Sequence, residues 1–64
     1  MATWDREDAL WFARASAEHA VSSKLTGDDF NSVRENIRCT FEEYRCSQFE
    51  EEAWTLFDHI VKSA

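Results

Sequence analysis

Residues 25–50, LTGDDFNSVRENIRCTFEEYRCSQFE, decide how this chain folds. The segment opens on Leu25-Thr26-Gly27-Asp28-Asp29, which contains the only glycine of the sequence. Gly27 can adopt the left-handed backbone conformation found just past a helix end. Thr26 and Asp29 have the spacing of a side chain that caps a new helix. The segment closes on Ser47-Gln48-Phe49-Glu50, a full capping-box pattern. Between the two signals, Phe30, Val33, Ile37, Phe41 and Tyr44 recur at spacings of three and four. That period is the apolar stripe of an amphipathic helix. Asn31, Glu35, Arg38, Glu42 and Arg45 fall off the stripe.

Downstream, Phe49, Ala53, Leu56, Phe57, Ile60 and Ala64 line a broad apolar face, with Trp54 and Val61 on one flank. Glu50, Glu51 and Glu52 crowd the first turn, where negative charge suits the helix dipole. Upstream, one side of the first helix holds Leu10, Ala13, Ala17, Ala20 and Val21. The other side holds Trp4, Trp11 and Ala15, with Phe12 further round. The pattern predicts one all-α domain over residues 1–64, a compact three-helix fold with helices near 4–25, 28–45 and 48–62. Helices 2 and 3 are expected as an antiparallel hairpin around Cys46-Ser47, with the alanine side of helix 1 packed onto them.

Size then bears on assembly. A domain of about 60 residues buries only about 60% of the surface its unfolded chain exposes. Below roughly 70–80 residues a core seldom supplies more than about 3–5 kcal/mol without a disulfide, a metal or a partner. Cys39 and Cys46, if on one helix, have Cα atoms about 10.5 Å apart by rise alone. That is too far for a disulfide. A homodimer is therefore expected, with Trp4, Trp11, Phe12 and Ala15 at the interface.

Composition excludes several functions. Thirteen Asp and Glu against seven Lys and Arg give a formal charge of −6, opposite to what a phosphate-tracking protein needs. No direct nucleic-acid binding is expected. The N-terminal residues carry no basic run, and no apolar stretch approaches the length of a membrane span. The expectation is a cytoplasmic protein with no membrane contact and with both cysteines as thiols. Short acidic helical chains are common among small regulators of phages, plasmids and bacteria.

His19 and His59 join the cysteines in a nominal metal set, but the spacings are wrong for zinc. Glu18-His19 and Asp58-His59 are adjacent pairs, which diverge by 100° on a helix and do not face each other. No metal, no cofactor and no catalysis are expected. The acids Glu42, Glu43, Glu50, Glu51, Glu52 and Asp58 cluster in the second half, interrupted by Arg34, Arg38 and Arg45. The expected function is a small protein–protein interaction module that regulates a larger assembly, with itself and an unidentified protein as partners. The alternative is an acidic inhibitor that mimics nucleic acid and blocks a basic groove.

Overall fold

The computed structural model describes residues 3–64. Helix α1 spans Arg6–Ser22, α2 spans Gly27–Glu43 and α3 spans Glu50–Ser63, with a 3-10 turn at Ser47–Phe49 leading into α3. The protein is an all-helical three-helix fold, with no strand among the described residues. Its dimensions are 33 × 21 × 16 Å, which excludes a continuous rod over residues 28–62 of about 52 Å.

The helix ends differ from those expected, each for a local reason. Trp4 does not join α1. Asp5 caps the helix, its carboxylate accepting from the Asp8 backbone N–H at 2.9 Å, while the Asp8 side chain accepts from the Asp5 N–H at 3.5 Å. This reciprocal box starts the helix at Arg6 and leaves Trp4 in the segment before it. At the other end α1 stops at Ser22, because Lys24 takes the left-handed conformation, φ 54°. The Lys24 N–H donates to the Val21 carbonyl and the Leu25 N–H to the Ala20 carbonyl, the paired bonds of a Schellman ending. α2 ends in the same way. Arg45, φ 55°, donates its N–H to Glu42, and Cys46 donates to Phe41.

Gly27 does adopt a positive φ, 57°, but at the entrance to α2 instead of beyond the end of α1. Thr26 precedes α2 without using its side chain as a cap. The expected Ser47–Glu50 box is likewise absent. Ser47 begins the 3-10 turn, with no side-chain bond at the cap of either that turn or α3. The Glu50 carboxylate instead accepts from the Trp54 indole N–H at 3.2 Å.

Among the described residues, five of the nine that are buried are alanines: Ala9, Ala13, Ala17 and Ala20 on α1, and Ala53 on α3. Spacings of four, four and three put the α1 alanines on one face. Small side chains let a second backbone come close, and α1 makes its most extensive helix contact with α3. The large buried side chains are Phe41, Phe57, Ile37 and the thiol-bearing Cys46. α2 reaches α3 through side chains: Phe30 meets Phe57 with ring centroids 5.8 Å apart, and Arg34 reaches Asp58 at 3.3 Å. Fully burying a phenylalanine contributes about 1.5–3 kcal/mol, so Phe41 and Phe57 outweigh the alanines.

Four substitutions test these helix ends by thermal melting. Asp5→Ala should destabilise by about 1 kcal/mol, the usual worth of a cap, while Ser47→Ala should change stability by less than about 0.5 kcal/mol. Arg45→Gly should raise the melting temperature by a few degrees, because a non-glycine residue in the left-handed region costs about 1–2 kcal/mol. Gly27→Ala should lower it for the same reason, although nothing lies within 4 Å of the added Cβ.

Candidate interaction surface

At 100° per residue, the alanine stripe of α1 leaves Trp11 on the far side of the helix. Trp11 is 65% exposed, the one exposed large hydrophobic side chain among the described residues. It borders a groove of about 430 Å³ between α1 and α2. Phe12, Ala15 and Val33 supply its apolar lining, and Ser16, His19, Ser32 and Asn36 its polar lining. No Asp, Glu, Lys or Arg lines it.

The structure brings Trp11, Phe12 and Ala15 together in this groove, and it places Trp4 beside it. Trp4 is half-buried and stacked on Tyr44, with ring centroids 4.4 Å apart and planes 9° apart. It also meets Phe12 at 5.3 Å, and Phe12 meets Phe41 at 6.5 Å. The Trp4 N–H donates to the Tyr44 carbonyl at 3.2 Å. Trp4 therefore fastens the N-terminal segment to the end of α2.

The six acids do not form one surface of free charge. Glu42 pairs with Arg38 at 3.0 Å and Asp58 with Arg34 at 3.3 Å. Glu52 accepts from two nitrogens of the Arg6 guanidinium, Nε at 2.9 Å and Nη2. Glu50 accepts from Trp54. Glu43 and Glu51 are exposed and enter no ion pair among the described residues. The hydrogen bond and charge of Arg6 hold the Glu52 carboxyl below the usual carboxylate range. Arg38 does the same to Glu35. Sequence reasoning missed the setting of Arg34, whose guanidinium lies 4.4 Å from the Trp54 ring centroid and within 6.0 Å of those of Phe30 and Phe57. Phe30 lies one turn before Arg34 on α2, but Trp54 and Phe57 sit on α3, and nothing in the sequence pattern places them beside Arg34.

The cysteines also separate. α2 ends before Cys46, so the two thiols do not share a helix face. Both are free; Cys39 is exposed and Cys46 is buried. The Cys39 thiol donates to Glu35 at 3.8 Å. Burial pushes the Cys46 thiol pKa up. His19 lines the α1–α2 groove, whereas His59 lines a different one beside Leu10 and Leu56. Among the described residues no three of His, Cys, Asp and Glu converge as a metal site would require. No helix among them is long and apolar enough to cross a membrane.

A thiol reagent should modify one cysteine rapidly in the native protein and two after unfolding. Melting temperature should fall on both sides of neutrality. The lowered carboxyls of Glu35 and Glu52 stabilise the fold above the unfolded carboxylate pKa, and that contribution is lost as pH drops below about 4. The raised Cys46 thiol contributes below its unfolded pKa, and its share is lost as pH climbs past about 8.5. Compared with known proteins, the chain matches no family model, no curated protein and no solved structure.

Proposed function

We propose that this chain is a small protein–protein interaction module that acts as a homodimer and regulates a larger assembly, with no chemistry of its own. The observation that carries this reading is the exposed Trp11 beside a groove free of fixed charge. Tryptophan is enriched among the few residues that dominate binding energy in interfaces. In this reading α2 and α3 form an antiparallel pair around Cys46-Ser47. The meeting of Phe30 with Phe57, and of Arg34 with Asp58, supports that arrangement. α1 and α2 then present the open face. The contact needs Trp11, Phe12 and Ala15, while Trp4 supports Phe12 from behind.

The pairing of Glu42, Glu52 and Asp58 with arginines favours this reading over an acidic phosphate mimic. A mimic must present unneutralised carboxylates to a basic groove, and paired ones offer less field to a partner. Capture of binding partners from the source cell separates the two. Partners should be lost with Trp11→Ala, kept with the combined Glu50→Gln, Glu51→Gln and Glu52→Gln variant, and little affected by added salt. The opposite pattern, with capture abolished by salt and by the glutamine variant, would establish the mimic instead.

A further inference from the structure

The turn between α1 and α2 and the last turn of α3 enclose an apolar hollow of about 220 Å³. Ala20 and Val21 of α1, Leu25 of the turn, Phe30 of α2 and Val61 of α3 supply its walls. All three helices therefore meet at this hollow. The Trp11 groove, the α2–α3 hollow lined by Arg34 and the α1–α3 hollow lined by Leu10 each lie between two helices. Val21, Leu25, Phe30 and Val61 are half-buried, so the walls remain open to a ligand from water.

Lys24 is the one ionisable side chain that lines the hollow. It is exposed and enters no ion pair among the described residues. Thr26, on the same turn, also lines the hollow, and its hydroxyl makes no capping bond to α2. Asp28 and Asp29 stand in the first turn of α2 and do not line it. Apolar walls with a few polar groups are the usual form of a small-molecule site. We infer that this hollow binds a medium-chain aliphatic carboxylate, its tail against Val21, Phe30 and Val61 and its head group on Lys24 and Thr26. The inference is independent of the Trp11 face.

Charge selects the head group. In a chain of formal charge −6, Arg6, Arg14, Arg34 and Arg38 are each paired with an acid, whereas Lys24 is not. A carboxylate has acceptor sites for an ammonium and a hydroxyl at once. Volume selects the tail. An apolar cavity of about 150 Å³ holds benzene, and drug-sized ligands take about 300 Å³ or more. The hollow lies between these sizes, which suits a tail of about six to eight carbons.

The test is titration of the full chain with sodium octanoate, followed by backbone amide NMR shifts. The shifts should saturate with a Kd of about 1 mM or below, and they should centre on Val21, Lys24, Leu25, Phe30 and Val61. From hexanoate to octanoate each added methylene should tighten binding about fourfold. Lys24→Gln should weaken octanoate binding about fivefold, with helicity unchanged because Lys24 is exposed, and should leave octanol binding as it was. Added NaCl should weaken octanoate and not octanol. Shifts that fail to saturate, or that centre on the Trp11 groove, overturn the site. Octanoate and octanol that bind alike, both indifferent to Lys24→Gln, overturn the carboxylate as its ligand.

Discussion

The close approach of α1 to α3 through alanine governs the rest of this structure. Ala9, Ala13, Ala17 and Ala20 are buried on one face of α1, with Ala53 buried on α3. An alanine carries only a methyl group, so the stripe brings backbones together while removing little apolar area from water. Bulk must then come from elsewhere, and Phe41, Phe57 and Ile37 provide it. A helix that turns alanine inward must also carry its large side chains elsewhere. Trp11 is the consequence: it stands 65% exposed on a chain of 64 residues.

Around this contact the fold is fastened at its ends more than along its length. The stack of Trp4 on Tyr44, with the backbone bond beneath it, joins the N-terminal segment to the end of α2. Arg6 joins the start of α1 to Glu52 near the start of α3. Arg34 joins α2 to α3 through the rings of Phe30, Trp54 and Phe57 and through Asp58. Exposed ion pairs are each worth at most about 1 kcal/mol, and a cation over an aromatic face about 0.5–1 kcal/mol at such sites. Their effect is to fix how the helices sit, while the buried rings supply most of the stability. The same arginines neutralise acids that would otherwise make the second half of the chain a field source.

The stripe of α2 was legible because Ile37 and Phe41 are strongly apolar and recur with the helical period. The alanine face of α1 was legible only in part. Ala9 went unseen, and Leu10 and Val21 were placed with the buried set although both are half-buried. Period reasoning weights large residues, so it rotates the inferred face toward leucine and valine and away from alanine. Capping-box spacing alone does not decide a cap: Thr26–Asp29 and Ser47–Glu50 both have it, and neither closes a box. Asp5 and Asp8 close the same box with a shorter acid. The left-handed turns at Lys24 and Arg45 carry no signal at all, since nothing in a lysine or an arginine announces that conformation. The outward position of Trp11 needed only the helix period. The inward role of Trp4 needed the position of Tyr44, which only the tertiary fold supplies.

A core made of small residues ties the exposure of Trp11 to packing. The most direct test of that link is the melting temperature of Ala13→Leu. Ala13 is fully buried on α1, and leucine is nearly as good a helix former as alanine. If α1 lies tightly on α3, the added atoms have no space, and stability should fall by about 1–3 kcal/mol. An unchanged or higher melting temperature would mean that the helices stand apart, and the account of why Trp11 faces outward would fail.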